Sequence, residues 1–288
     1  MIAALATGHC VLCEGELEGV ERTFRGGWPG ASGQVFSCSR CGSAQVMPRP
    51  AAEEVADIYS EDYFQAYLAG PGVKGGGEEA SPALRERLAR LEALQGKGRI
   101  VDVGCAMGHF VAYAQSQGWD AIGVEPSAWA AEEGRRRHGV TIHATTLDRA
   151  PIEAGSCDAI HANHVLEHVV DPVALLTSAA RLLRSGGRLV VEVPQELRRP
   201  LFDRVLGGLH PALYPARAPD PTHVEFFSAA GLRAAAGRAG LEVERVETQR
   251  HERNTTSRLP AGSALKELLY RTEEWTGTAP DLVLWARR

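Results

Sequence analysis

The sequence is short of the features that mark several protein classes. No stretch approaches the roughly 20 consecutive apolar residues of a membrane-spanning helix. The opening residues, MIAALATGHC, lack both a cationic start and an apolar core of signal-peptide length. The expectation is a cytoplasmic protein with no membrane partner. Cationic charge is not in excess: 31 Lys and Arg stand against 36 Asp and Glu, a formal net charge of −5. The longest cationic run, Arg135 to Arg137, reads as a solvated helix face, so the balance argues against a nucleic-acid partner. Cysteine is scarce, with six in the chain, and in a reducing compartment these read as metal ligands or buried thiols rather than disulfides. What remains is an ordinary globular composition, 44% hydrophobic and 23% charged over 288 residues. That length suits one large domain, or a domain of roughly 200 residues with a small module.

Four of the cysteines fall into two C-x-x-C pairs, Cys10 and Cys13 in HCVLC and Cys38 and Cys41 in SCSRCG. Each such loop lets two thiolates converge on one ion, and two loops complete a tetrahedral zinc site. The segment between the pairs is expected to form an extended hairpin, with Val35 and Phe36 on its returning strand. Four protein ligands leave no open position, so this zinc is expected to hold the fold. Two other readings compete: a redox dithiol, for which one pair would suffice, and His9 replacing a neighbouring ligand. The module is placed at residues 1–50, ending at the prolines of VMPRP. Residues 51–95 read as a helical linker or cap, with a glycine-rich stretch at 70–82 and an amphipathic helix at 83–96.

From residue 96 to 288 short apolar runs alternate with helical patterns. RIVDVG (99–104), DAIGVEPS (120–127), VTIHAT (140–145), CDAIHANHV (157–165) and RLVVEVP (188–194) read as strands. LEVERVETQ and DLVLWARR follow as the last strands. The segment 171–187 reads as a helix with a glycine stop, and 228–240 as a helix capped by Ser228. The fold class expected is α/β: a Rossmann-like, doubly wound, seven-stranded and mostly parallel sheet preceded by a small zinc-ribbon module. The turn after the first of these strands, VDVGCAMGHF, brings Gly104 and Gly108 to the start of a helix, where free N–H groups and close backbone approach suit a ligand. The dinucleotide fingerprint G-x-G-x-x-G is absent, which disfavours a nicotinamide-dependent oxidoreductase. Glu125 ends the next strand, where an acid can hold a ribose diol.

With these motifs in order, the chain resembles the class I S-adenosylmethionine-dependent methyltransferases over residues 96–288. VDVGCAMGHF, GVEPS, CDAIHANHVLEHVVDP and LLRSGGRLVVEVP resemble four family motifs in order. The cysteine module, with YSEDYF (59–64) behind it, is similar to a bacterial subgroup acting on sugars, nucleotide-linked sugars and other small metabolites, often in natural-product biosynthesis. The resemblance implies that Asp102 and the backbone of Gly104, Cys105 and Gly108 face the methionyl part of S-adenosylmethionine. Glu125 would hold the ribose, Pro126 the adenine wall, and Leu147 and Asp148 the adenine edge. Asn163 would lie beside the sulfonium, with Tyr63 closing over the cofactor. Ala106 departs from the pattern, standing where the family usually has glycine, and its Cβ narrows the approach to the cofactor.

Methyl transfer needs a positioned acceptor and, for a hydroxyl or carbon acid, a base. The candidates are His223 and Glu225 in DPTHVEFFS and His164 in HANHVLEHVVDP, with a small-molecule acceptor as partner and a monomer or homodimer as assembly. The resemblance also suggests an alternative, since some members methylate vicinal hydroxyls with a divalent cation held by an E-x-x-E-H motif and a later histidine. The matching positions are His164, Glu167, His168 and His223, with His164 in place of the first glutamate. Against this, Glu167 and His168 also serve as helix scaffold in members without metal. Residues 195–222 interrupt the sheet and read as an acceptor-side lid, with Arg198, Arg199, Arg204 and Arg217 available to an anionic acceptor. A rival of another class is a non-catalytic module that binds cofactor or partners through the zinc ribbon.

Overall fold

A computed structural model of the chain describes residues 8–25, 32–69, 82–197, 220–249 and 264–288. Two sheets organise it. The first begins with the antiparallel pair β1 (Leu17–Arg25) and β2 (Ser32–Cys38), the hairpin expected between the cysteine pairs, and adds β3 (Ala44–Met47). Its fourth strand comes from far along the chain: β9 (Glu225–Phe226) pairs antiparallel with β3, with Gln45 opposite Glu225. Three helices then follow β3: α1 (Ala52–Ala56), α2 (Glu61–Ala69) and α3 (Pro82–Gln95).

The larger sheet is built from β4 (Arg99–Val103), β5 (Asp120–Val124), β6 (Ile142–His143), β7 (Cys157–Asn163), β8 (Leu183–Pro194), β10 (Glu242–Gln249) and β11 (Asp281–Arg287). Their spatial order is β10-β11-β8-β7-β4-β5-β6, with β4, β5, β6, β7 and β8 parallel and β11 antiparallel to both neighbours. This is the expected seven-stranded, mostly parallel Rossmann-like sheet. Among the described residues, helices α4 (His109–Ser116), α5 (Ala128–His138), α6 (Pro172–Leu182), α7 (Ala229–Arg238) and α8 (Ala264–Trp275) accompany this sheet.

Both sheet faces are buried, which is why the parallel strands read as nearly continuous apolar runs. Successive residues point to opposite faces. Val101, Ile160, Leu189 and Leu284 therefore join Leu176 of α6 and Leu232 of α7, whereas Ile100, Val190 and Trp285 join Leu88 and Leu91 of α3 and Phe110 of α4. The cysteine knuckles pack into the first of these clusters, through Cys10, Leu12, Cys13, Cys38 and Cys41. Among the described residues no helix is long and apolar enough to cross a membrane.

One expected helix is shorter than its pattern. Helix α6 stops at Leu182, and Leu183 to Gly187 extend β8. Sheet pairing overrides the helical period there: Leu183 pairs with Cys157, and Gly186 and Gly187 exchange backbone hydrogen bonds with Arg288. Most of the glycine-rich stretch at 70–82, and Arg198, Arg199, Arg204 and Arg217 of the expected lid, lie outside the described residues.

Ser228 shows how local chemistry fixes α7 to the module. Its hydroxyl oxygen accepts the Gly231 N–H at 2.9 Å as an N-cap, and the same hydroxyl donates to the Cys41 carbonyl. A lost N-cap costs about 1 kcal/mol. Ser228→Ala is therefore expected to lower stability by about 1–2 kcal/mol in urea unfolding; an unchanged midpoint would show that the cap carries no weight.

Candidate functional site

The four cysteines converge. Cys10 and Cys41 sulfurs lie 3.8 Å apart and Cys13 and Cys38 sulfurs 3.4 Å apart, and all four lie within 4.8 Å of one another. Zn–S bonds of about 2.3 Å in a tetrahedron place sulfurs roughly 3.8 Å apart, so the donor set fits that ion. The thiols also compete for each other's protons: the bond from Cys10 pulls Cys41 down to about 5, while Cys10 is pushed up. The Gly15 N–H donates to the Cys13 sulfur at 3.4 Å, as a thiolate ligand requires. Gly15 is sterically committed as well, since a Cβ there would stand 3.0 Å from the Cys38 sulfur and 2.7 Å from Arg40.

The turn between β4 and α4 is built on left-handed backbone at Gly104 (φ 64°), Ala106 (φ 46°) and Gly108 (φ 74°). Ala106 holds this conformation at a cost of about 1 kcal/mol that glycine would not incur. Gly108 caps α4 without a side-chain acceptor, so the positive end of the helix is open to a ligand. Glu125 pins the turn: its two oxygens accept N–H bonds from Ala106 and Ser127, each at 2.9 Å. Each oxygen keeps a lone pair for a further donor such as a diol. Burial pushes the Glu125 carboxyl up, opposed only in part by those two bonds. Asp102 accepts a 2.7 Å bond from the buried His161, which stacks on Phe110, so its carboxylate is already engaged from the strand side. Cys105 is buried against Gly123, where a Cβ would come within 2.5 Å of its sulfur. Leu147 is buried while Asp148 and Pro126 are exposed. Tyr63, on α2, packs edge-on against Tyr59 and Phe64, and Phe64 stacks on Trp129 of α5.

The second cluster lies past the carboxyl ends of β7 and β8. Asn163 ends β7, and its side-chain oxygen accepts from Arg87 of α3 at 2.9 Å. Arg87 also forms a buried ion pair with Glu192 of β8. His164 follows in the left-handed region (φ 54°), with Nδ1 3.1 Å from Glu167 Oε1 and Nε2 3.2 Å from Glu192 Oε1. Carboxylates only accept, so both ring nitrogens donate and the ring is an imidazolium. Burial works against that charge, but the Glu167 bond together with the charges of Glu167 and Asp281 outweighs it and the pKa rises.

Glu167 is completely buried. Its Oε1 faces His164, and its Oε2 has no hydrogen-bond partner among the described residues. His168 Nδ1 faces the Thr222 carbonyl at 3.3 Å and His223 Nδ1 faces Glu196 Oε2 at 2.7 Å. Both acceptors assign a proton to Nδ1, so Nε2 is the ring atom left to face the cluster; burial opposes charge on His223, but the Glu196 bond together with the surrounding carboxylates raises its pKa. The two rings lie 4.7 Å apart, and burial holds the His168 pKa below its ordinary value, favouring the neutral ring. One potential ligand atom each from Glu167, His168 and His223 falls within 4.8 Å of the others.

The structure thus brings three of the four residues of the E-x-x-E-H-like set into one potential ligand group, while the fourth, His164, touches Glu167 but belongs to a second group. His164 groups with Glu192 and Asp281 instead, and an imidazolium cannot take a proton. Glu225, a candidate base in the sequence, is wholly buried and ion-paired to Arg49 at 2.9 Å in the junction between the sheets. Sequence reasoning missed Arg49, Arg87, Glu192, Glu196 and Thr222. Each is distant in sequence from the group it holds, and no local spacing marks them.

The sequence profile of the family described as "Methyltransferase domain" matches residues 77–246. A curated uncharacterised 37.1 kDa protein in transposon TN4556 of Streptomyces fradiae is 36% identical over 37% of this chain and 33% of its own length, so the chain spans about a third of that relative. The ubiquinone biosynthesis O-methyltransferase of Xanthomonas axonopodis pv. citri is 31% identical over 57% of this chain and 70% of that protein. Among solved structures, an S-adenosylmethionine-dependent methyltransferase from Mesorhizobium loti aligns at TM-score 0.50 with 22% identity, covering 72% of this chain and 96% of that one. One from Archaeoglobus fulgidus aligns at 0.51 with 16% identity, covering 78% and 98%. Both share the fold.

The bridging imidazolium has a pH signature. Its folded pKa lies above the ordinary value of about 6.5, so its contribution is complete below that value and is lost as pH rises through the raised folded value. His164→Gln is expected to destabilise the chain most below the ordinary histidine pKa, with the difference from the unsubstituted chain shrinking as pH rises above it in parallel urea titrations. A difference that does not vary with pH would contradict the assignment.

Proposed function

The chain belongs to the methyltransferase-domain family and is an S-adenosylmethionine-dependent methyltransferase, and from that premise we propose that it methylates a hydroxyl of a small-molecule acceptor at the Glu167–His168–His223 cluster. In this reading the left-handed turn from Gly104 to Gly108 and Asp102 cradle the methionyl part, with Glu125 accepting the ribose hydroxyls. Leu147, Asp148 and Pro126 border the adenine, Asn163 stands beside the sulfonium, and Tyr63 covers the bound cofactor. The four-cysteine centre holds a structural zinc ion. The acceptor is a sugar, a nucleotide-linked sugar or a related natural-product intermediate. The similarity to a ubiquinone-pathway O-methyltransferase supports an oxygen nucleophile.

The observation that carries the reading is a buried carboxylate oxygen with no hydrogen-bond partner among the described residues, set beside two histidines whose Nδ1–H groups are both tied down. Metal-binding histidines are oriented in the same manner, by a carbonyl or carboxylate on the far nitrogen. Glu167 Oε2 and the Nε2 atoms of His168 and His223 would hold a divalent cation, which lowers the pKa of a hydroxyl bound to it. The mixed nitrogen and oxygen set suits Mn²⁺, Fe²⁺, Co²⁺ or Zn²⁺ better than Mg²⁺. Without an ion the same arrangement leaves His223 as general base: Nε2 takes the acceptor proton, and Glu196 steadies the resulting imidazolium through Nδ1. Arg87 fixes Asn163 and Glu192, and through Glu192 and His164 the position of Glu167.

Two substitutions divide cofactor binding from chemistry. Glu125→Gln removes a charged acceptor and is expected to weaken S-adenosylhomocysteine about ten-fold or more in calorimetry. Glu167→Gln is expected to leave that affinity unchanged and to abolish methyl transfer from S-adenosylmethionine to vicinal-diol acceptors, an activity that a chelator also removes from the unsubstituted chain. Unchanged cofactor affinity in Glu125→Gln, or methyl transfer retained in Glu167→Gln, would refute the corresponding assignment.

A further inference from the structure

The acceptor-side cluster does not hang from the sheet of the methyltransferase fold alone. His223 and Thr222 directly precede β9, and β9 is the edge strand of the cysteine module's own sheet, paired with β3. All three members of the cluster attach to this one short segment. The Thr222 carbonyl orients His168, His223 is the next residue, and the Val224 N–H donates to the Glu167 carbonyl at 2.8 Å. The register of residues 222–226 therefore decides whether the three side chains converge.

The module fixes that register from several directions. The Val46 N–H donates to the Val224 carbonyl at 3.1 Å, continuing the β3 pairing. Arg49 spans the junction with its fork, donating through Nη1 to Glu225 Oε2 at 2.9 Å and the Val224 carbonyl at 3.1 Å, and through Nη2 to the Val170 carbonyl. Val170 lies two residues past His168, so one guanidinium ties the strand carrying His223 to the segment carrying Glu167 and His168. Behind β9, the buried hydroxyl of Ser43 accepts the Ser228 N–H at 2.9 Å. Gln45 accepts the Val11 N–H of the first knuckle at 3.0 Å, and Arg238 of α7 reaches the Val11 carbonyl and Glu14. Both knuckles thus grip the 224–238 stretch. A Cβ on Gly231 would stand 2.0 Å from the Ser43 hydroxyl, so α7 is pressed flush against the second knuckle.

We propose that the four-cysteine module is a positioning element of the acceptor site, with β3 and the Arg49 fork setting the register of residues 222–226 so that Glu167, His168 and His223 converge. Arg49 is a positioning residue: it acts on the cluster only through the backbone it holds. The cofactor turn at Gly104 to Gly108 and Glu125 receives none of these contacts, so disturbing the junction separates acceptor-side assembly from cofactor binding. The inference rests on reading the cluster as a cation site, and the test keeps the two apart.

The zinc-loaded full chain is compared with Arg49→Lys and Arg49→Met. Lysine preserves the charge opposite Glu225 but cannot reproduce the fork, so a role in charge compensation alone is rescued by lysine and a positioning role is not. In both variants Mn²⁺ binding, followed by electron paramagnetic resonance, is expected to weaken by about ten-fold or more. Hydrogen exchange over residues 222–226 is expected to accelerate by about ten-fold, while S-adenosylhomocysteine affinity by calorimetry stays unchanged. Mn²⁺ affinity and exchange both unchanged in Arg49→Lys would overturn the inference, and so would a parallel loss of S-adenosylhomocysteine affinity, which marks general destabilisation. If the unsubstituted chain binds no Mn²⁺, the cation reading falls, and the exchange measurement alone then decides: faster exchange in Arg49→Lys with cofactor affinity kept supports the inference, and unchanged exchange overturns it.

Discussion

Glu167 is a carboxylate held entirely inside the protein, and an uncompensated charge there costs several kcal/mol. Much of the acceptor side follows from how that cost is met. On one side His164 supplies a proton to Oε1 and shares its positive charge with Glu192, which in turn pairs with Arg87. On the other side stand two histidines, one of them held neutral by burial, and an oxygen with no donor among the described residues. Charge balance is thus complete from Arg87 to Oε1 and open from Oε2 onward. The strained backbone of His164 fits this picture: from that position the ring reaches both carboxylates, and the ion pairs offset the roughly 1 kcal/mol cost of left-handed backbone.

The same economy of parts links the two sheets. In a doubly wound fold the segment after the strand at β8 usually finds its place by loop packing, and loops set geometry poorly. Here the returning chain is captured as a strand by the cysteine module. A tetrathiolate centre is small and rigid, and ion binding couples directly to folding of such modules. Pinning β9 to it gives His223 the precision of a sheet residue. The cofactor side obtains its precision differently, from a turn whose left-handed residues are clamped by the Glu125 carboxylate.

Legibility in the sequence tracked the range of the interactions. The parallel sheet was readable because each buried strand is a local apolar run, and the cysteine knuckles because each pair is a local loop. The strand-end position of Glu125 and the left-handed turn from Gly104 to Gly108 are local for the same reason. Helix α6 was overextended because pairing with Cys157 and Arg288, remote in sequence, claims residues that carry a helical period. The grouping HANHVLEHVVDP was ambiguous because spacing on a short 3₁₀ turn does not say which side chains share a partner. Glu192 and Thr222 settle that, drawing His164 one way and His168 the other. Glu225 misled because an acid next to a candidate base reads as chemistry, whereas its partner Arg49 stands on the far side of the chain in sequence.

The central claim is that Glu167, His168 and His223 form one divalent-cation site beside the cofactor cleft. Anomalous diffraction from crystals grown with S-adenosylhomocysteine and Mn²⁺ tests it most directly. The account predicts a manganese peak within about 2.5 Å of Glu167 Oε2 and of the Nε2 atoms of both histidines, separate from the zinc held by the cysteines. A manganese peak at His164, Glu192 and Asp281 instead, or none outside the cysteine centre, would contradict it.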